Sequence, residues 1–506
     1  MKVIFPVMGA ENISVSYLST VLKKAGHSVK VAFDRALFDD KQYFSVPFLA
    51  RIFSEKERMI AEILREKPDI LAMSVFADNY QWSLEVAGRI KKVHSCLTVW
   101  GGIHPTSCPE EVILRDEVDY LITGEGEGPV VELLRALENK TSVRDIQNVW
   151  LKENGKIVRN NPRPLMDPND FPEVDKTIYE KFIPIKDYYL TVTSKGCIAR
   201  CSYCSQNFLQ KWEKEKQLGP FLREKPVEKV LQELKTMKAR YGITYVDIKN
   251  NVLSGNRRWL DEFLTRYPLE VGIPFRIMGH PLLFQDNDFA LRLKKAGCHH
   301  VQIGIESFNA AVRENVLLRY ETNEQILKSL DSLEAAGINF SADLIVGLPG
   351  ESEDDFILAL KILAKYRRLI RASIFWLQYL PKVDITNNAL GKGYITGEDE
   401  RNINEGRQNN YLSTGSAMES QRTKVLKTYH IMFRLLPVLP APAMNFILDR
   451  QWHKAFRFIP FQILWIVLID VWVSFVRKDY YAKWIMGWYM KQIKKHLTGK
   501  VECLSR

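Results

Sequence analysis

The chain has 506 residues, 46% of them hydrophobic and 26% charged, which is long enough for two to four domains with separate cores and excludes a disordered or fibrous class. The net charge of +11 is unevenly placed: residues 421–506 hold 15 Lys or Arg against 4 Asp or Glu, while the preceding 420 residues carry 56 of each sign. That distribution excludes a general nucleic-acid-binding surface and indicates a local basic interface near the C-terminus.

The opening run, MKVIFPVMGAENIS, enters a strand pattern at once and lacks the basic start and long apolar core of a secretory signal. Seven cysteines lie at 96, 108, 197, 201, 204, 298 and 503, three within eight residues and the others scattered. Such spacing argues against a disulfide framework and for a reducing, cytoplasmic setting. Over residues 1–145, the runs KVIFPVM, HSVKVAF, PDILAMSVF, LTVWGG and DYLITG alternate with helical segments such as YQWSLEVAGRIKKV. The alternation predicts an α/β domain with a Rossmann-like, doubly wound parallel sheet, whose ligands sit at the strand C-termini. Residues 146–186, rich in Pro and Asn, read as a linker.

From 187 to 395 the alternation resumes: YYLTVTSKGC, YVDIKNN, FRIMGHP, HVQIGIES, FSADLIVGLPG and SIFWLQYL are strand candidates. Six strands with helices between some of them predict a partial (β/α)6 TIM barrel, again with function at the strand C-termini. Residues 396–506 read as a helical, basic and aromatic extension, of which 396–428 are polar and loop-like or helical.

The chemistry centres on Cys197-Ile-Ala-Arg-Cys201-Ser-Tyr-Cys204, directly after the first barrel strand. Three thiolates on one loop can bind three irons of a cubane and leave the fourth open. A closed zinc site needs a fourth ligand, and the nearest histidines in sequence, His104 and His280, lie off this loop. The segment resembles the Cys-x3-Cys-x2-Cys signature of the radical S-adenosylmethionine (SAM) superfamily, including the aromatic Tyr203 before the last cysteine. The resemblance implies a [4Fe–4S] cluster on Cys197, Cys201 and Cys204 whose open iron chelates SAM. SAM is then split by one electron, from a donor such as flavodoxin or ferredoxin, to a 5′-deoxyadenosyl radical. It further implies that Tyr203, Glu306 and Ser307 of VQIGIES, Gly347 of DLIVGLPGE, and Asn250 and Asn251 of DIKNN lie near SAM. The DIKNN segment departs from the commoner Gly-Gly-Glu form, and Lys382-Val383-Asp384-Ile385-Thr386 stands where many relatives have a Pro-Gly-Thr turn.

The N-terminal segments Trp100-Gly101-Gly102-Ile103-His104-Pro105 and Thr123-Gly124-Glu125-Gly126-Glu127 resemble the cobalamin-binding domains that precede radical SAM barrels, as do Leu22-x3-Gly26-His27-x-Val29 and Ser74-Val75-Phe76. The resemblance implies a cobalamin site at Ser74, Gly101, Gly102, His104, Gly124, Glu125 and Gly126. Domains with a histidine on cobalt carry Asp-x-His-x-x-Gly after the first strand; here Met8-Gly9-Ala10-Glu11-Asn12-Ile13 contains no histidine. His104 either contacts the corrin edge or caps a Gly-Pro turn, and an empty scaffold is the bland reading of the whole domain.

Phe458–Val476 is a 19-residue apolar run holding one charge, Asp470, followed by Arg477, Lys478, Trp484, Trp488 and Tyr489. It reads as an interfacial segment on the inner face of a membrane or as a buried cap on the barrel; a true span conflicts with Asp470. Together the resemblances imply a cobalamin-dependent radical SAM enzyme that methylates an unactivated carbon of a lipid, isoprenoid or tetrapyrrole-like substrate. One SAM would methylate cobalamin and a second would generate the radical. The alternatives are a cyclase, carbon–carbon coupling or oxidising enzyme with both cofactors and no methyl transfer, and a non-enzymatic cobalamin or redox sensor.

Overall fold

A computed structural model describes residues 1–40, 44–407, 423–459 and 462–498. Cys503 and part of the polar stretch 396–428 lie outside the described residues.

The N-terminal sheet is built from β1 (Lys2–Met8), β2 (Ser28–Asp34), β3 (Ile70–Ser74), β4 (Leu97–Gly101) and β5 (Tyr120–Ile122), in the spatial order β2-β1-β3-β4-β5, all parallel. The strands are apolar runs because helices cover both faces; Ile70, Leu71, Ala72 and Met73 are all buried. The order reverses between β1 and β3, which is the switch point where such sheets bind ligands.

The sheet does not end at residue 145. Strands β6 (Val149–Glu153) and β7 (Lys156–Arg159) extend it as an antiparallel hairpin. Its turn is Asn154-Gly155, with φ of 50° and 72°, the local geometry that favours two-residue hairpins. The rest of the expected linker is also tied down. Phe171 and Tyr179 are buried, the Tyr179 hydroxyl donates to the Asn12 carbonyl at 3.2 Å, and the buried Lys176 ammonium reaches Glu11 at 2.9 Å and the Leu190 carbonyl at 2.6 Å. The density of Pro and Asn hid a hairpin and a packed crossing.

The second sheet contains β8 (Tyr189–Thr191), β9 (Val246–Ile248), β10 (Phe275–Gly279), β11 (Cys298–Glu306), β12 (Asn339–Val346) and β13 (Leu369–Trp376). The six run in sequence order and parallel, as expected of a partial (β/α)6 barrel. Its strand C-termini carry the cysteine loop, Asn250, His280, Glu306 and Gly347.

The extension forms α1 (Thr423–Leu435), α2 (Gln462–Val476) and α3 (Tyr480–Thr498). Trp484, Trp488 and Tyr489 are not the membrane anchors that their composition suggested. Trp484 stacks on Tyr188 at 4.5 Å and Tyr480 on Tyr245 at 4.3 Å, beneath the N-terminal ends of the first barrel strands. Trp488, 5% exposed, joins the core of the N-terminal domain and donates to the Phe182 carbonyl at 3.1 Å. Burying such a ring contributes about 1.5–3 kcal/mol, so α3 closes the floor of the barrel and clamps it to the N-terminal domain. Among the described residues no helix is long and apolar enough to cross a membrane.

Candidate functional site

After β8 the chain forms a short antiparallel pair, Ser194–Lys195 against Arg223–Glu224. Gly196 then turns with φ of 88°, and a Cβ there would run into the Phe221 carbonyl. Only glycine fits, and the turn throws Cys197, Cys201 and Cys204 onto one loop that ends where the next helix starts at Ser205. Cys201 is buried, and Cys197 and Cys204 are half-buried. Burial pushes all three thiols up, Cys204 to about 12, and Cys197 and Cys201 both act on Cys204. The Arg319 guanidinium sits 4.0 Å from the Cys201 sulfur and pulls Cys197 and Cys201 back down. A bound metal would displace the protons of thiols so raised. Among the described residues no three His, Cys, Asp or Glu side chains converge on the position of a single ion. Cubane ligands need not converge, since each thiolate bonds a different iron. The donor set therefore fits a [4Fe–4S] cluster.

The neighbouring polar groups come from other strand ends. Glu306 closes β11 at a bulge with φ of 67°, a strained conformation for a residue with a side chain. It lies 3.5 Å from Arg319. Burial raises its carboxyl to about 7, with Arg319 opposing. Arg319 is fixed in turn by the Gly304 carbonyl at 2.7 Å and Glu321 at 2.6 Å. Nothing in the local sequence around Arg319 marks it. Ser307 accepts from the Asn309 backbone N–H at 3.2 Å, Gly347 donates its N–H to Glu351 at 3.0 Å, and Tyr203 packs against the hydrophobic cluster that includes Leu317 and Leu348.

Asn250, expected near SAM, is held by bonds within the chain. Its amide donates to Thr193 Oγ1 at 2.6 Å and to the Leu253 carbonyl at 3.0 Å, and its Oδ1 accepts from the Thr193 N–H. Asn251 donates to the Gly196 carbonyl at 2.9 Å. Both asparagines brace the base of the cysteine loop.

Between the two sheets lies a cleft of about 390 Å³, partly open to solvent. One wall holds Ser74, Gly101, Gly102, Gly124, Glu125 and Gly126, the other Lys195, Gly196, Glu213, Asn250 and Asn251. Gly102 has φ of 112°, and a Cβ would stand 2.6 Å from the Val75 carbonyl oxygen. Gly124 donates to Thr106 Oγ1 at 2.9 Å, and a Cβ on it would stand 3.2 Å from Trp212. Glycines at the C-terminal ends of β4 and β5, on the strands that follow the switch point, give a broad planar group backbone-close access, so this wall fits a corrin. His104 stands apart from that wall. It is buried against the Tyr80 ring at 4.3 Å and lines an adjoining pocket with Phe76, Ser107, Phe208 and Leu380. Burial lowers its pKa to about 4, so the ring is neutral.

An ion cluster missed in the sequence ties the two walls together. Lys195 reaches Glu125 at 2.9 Å and Glu127 at 2.6 Å, and Arg223 reaches Glu125 at 3.1 Å. Burial opposes ionisation of Glu125, but Lys195 and Arg223 outweigh it and hold the carboxyl at about 2. Glu213, 5% exposed, goes the other way: burial pushes it to about 7 with help from Glu125, against Arg223 and Lys195. Native Glu213 therefore keeps a proton that the unfolded chain releases near its ordinary value. Its contribution to stability is full at low pH and is lost as pH rises through about 7. Glu213→Gln is expected to melt with less sensitivity to pH than the wild type between about pH 5 and about pH 8. Equal pH slopes in differential scanning fluorimetry would contradict this.

Comparison with known proteins follows the same division. The family model of the Radical SAM superfamily matches residues 191–363, and that of the B12 binding domain matches residues 9–134. An uncharacterised methyltransferase of Pyrococcus horikoshii is 26% identical over 317 residues, covering 60% of this chain and 66% of that protein. The anaerobic magnesium-protoporphyrin IX monomethyl ester cyclase of Synechocystis is 22% identical, covering 54% of this chain and 55% of its own. The chain thus spans only about half to two thirds of these relatives' lengths. Among solved structures, the cobalamin-dependent SAM radical enzyme OxsB superposes with a TM-score of 0.64 at 14% identity, covering 98% of this chain and 80% of its own. The radical SAM methyltransferase TsrM of Kitasatospora setae gives 0.60 at 16%, covering 77% and 76%. At these identities the superpositions speak to the fold.

Proposed function

We propose that this chain, a member of the radical SAM superfamily that carries a B12 binding domain, transfers a methyl group to an unactivated carbon of a lipid, isoprenoid or tetrapyrrole-like small molecule. The observation that carries the reading is the shared cleft: the base of the cysteine loop and the glycine-lined strand ends of the N-terminal sheet face one space. When bound, the cluster with SAM supplies hydrogen-atom abstraction and cobalamin supplies the methyl group. The chain's own residues position and seal. Arg319 sets positive charge beside Cys201 and Glu306, Asn250 and Asn251 fix the loop base, and α3 shuts the floor of the barrel. Substrate then approaches from the strand C-termini, and an external one-electron donor is required.

The methyltransferase relative supports methyl transfer. The cyclase relative supports the second reading, ring closure with both cofactors and no methyl transfer. SAM labelled in its methyl group separates them. With candidate lipid extracts under anaerobic reducing conditions, label is expected in the product, and unlabelled product formed with 5′-deoxyadenosine would favour the second reading.

A further inference from the structure

The last two helices of the extension present their aromatic residues differently. While α3 packs inward, α2 turns Trp465, Leu468, Trp472, Phe475 and Val476 outward, from 49% exposed at Trp465 to 61% at Phe475. Their spacing of i, i+3, i+7, i+10 and i+11 forms one stripe on the helix. Ile466 and Val473, on the other side, are buried. Asp470 is off the stripe and is bound by Arg434, so the one acid of the helix is neutralised away from the apolar face. In the segment before α2, Phe446, Trp452 and Phe458 are also exposed.

Charge says what covers this face. The described extension, 423–498, has 12 Lys or Arg against 3 Asp. All three acids are paired, Asp449 with Lys361, Asp470 with Arg434 and Asp479 with Arg371. Arg450, Lys454, Lys478, Lys483, Lys491 and Lys494 are exposed and, among the described residues, pair with no carboxylate. Two of these flank the exposed rings: Arg450 lies 5.6 Å from the Phe446 centroid and Lys483 5.8 Å from that of Phe475. Cations beside half-exposed aromatic rings on a helix too short to span suit a charged lipid interface. A second copy of the chain would bring an equally basic extension against this one, which charge disfavours.

We propose that the α2 stripe docks the protein on the surface of an anionic bilayer. The docking deepens the lipid-class reading of the substrate and rests on it for its purpose, but it is read without turnover, so the two can fail separately. The test is flotation of the full chain, cluster reconstituted, with vesicles of phosphatidylcholine alone or of phosphatidylcholine with one-third phosphatidylglycerol. Binding is expected to be at least about tenfold stronger to the anionic vesicles and to fall as salt screens the lysines. Trp465→Ser/Trp472→Ser is expected to lose binding about tenfold while keeping the wild-type cluster spectrum and melting temperature, because both rings already face solvent. Leu468→Asp gives a second reading of the same stripe. Wild-type binding by both variants overturns the proposal, as does equal affinity for neutral vesicles. So does a concentration-dependent dimer that dissociates in the Trp variant and leaves vesicles untouched.

Discussion

Replacing any one of Cys197, Cys201 and Cys204 with alanine is expected to remove the cluster's visible absorbance and to cut SAM cleavage to below about one-thousandth of wild type, a barrier change above about 4 kcal/mol. The expected effect is large because each thiolate would bond its own iron and no neighbour could substitute. Among the described residues the other cysteines lie elsewhere: Cys96, Cys108 and Cys298 are buried in the hydrophobic cores, off the 197–204 loop. Cys298→Ser is therefore expected to keep the cluster. The loop itself should survive the substitutions, since Gly196, Asn251 and the helix start at Ser205 set its path. Unchanged far-ultraviolet dichroism with lost iron is the expected pair of readings; an alanine variant that keeps cluster and turnover would contradict the assignment.

Gly102→Ala is expected to abolish tight cobalamin retention while leaving the cluster in place. The backbone at φ of 112° disfavours any side chain, and the new methyl would press on the Val75 backbone at 2.6 Å. The dihedral costs about 1–3 kcal/mol and overpacking about 1–3 more, and the wall of the cleft must shift to relieve them. Gly102 follows β4, in a different domain from the cysteines, so iron content should stay at the wild-type level while cobalt falls at least about tenfold. Gly155→Ala is the comparison: it is a positive-φ glycine with open space around it, outside the cleft, and should lose a little stability and no cobalamin. Equal cobalt in wild type and Gly102→Ala would remove this wall from the site.

Much of this architecture was legible in the sequence because parallel strands covered on both faces are uninterrupted apolar runs between Gly, Pro and Asp. All five N-terminal strand candidates and all six barrel candidates became strands. The cysteine loop was legible because its three thiols lie within eight residues. What escaped was non-local or ambiguous in composition. The hairpin about Asn154-Gly155 was masked by the Pro-rich text after it. Arg319, Lys195, Arg223 and Glu213 matter through partners up to about a hundred residues away, such as Glu125 for Arg223. Lys195, two residues before Cys197, was the only one with a positional hint. In the extension, aromatic and basic residues suit both a packed floor and an exposed interface. Burial alone separates Trp488 from Trp472, at 5% and 51% exposed. The Asn250 side chain, expected near SAM, lines the cleft and is bonded to Thr193 and Leu253.

The most direct test is metal analysis of protein reconstituted anaerobically, paired with Mössbauer spectroscopy before and after SAM is added. About four iron and one cobalt per chain are expected, with one iron site shifting on SAM binding because it alone lacks a thiolate. A single-ion signal, or a cluster whose four irons all ignore SAM, would contradict the account.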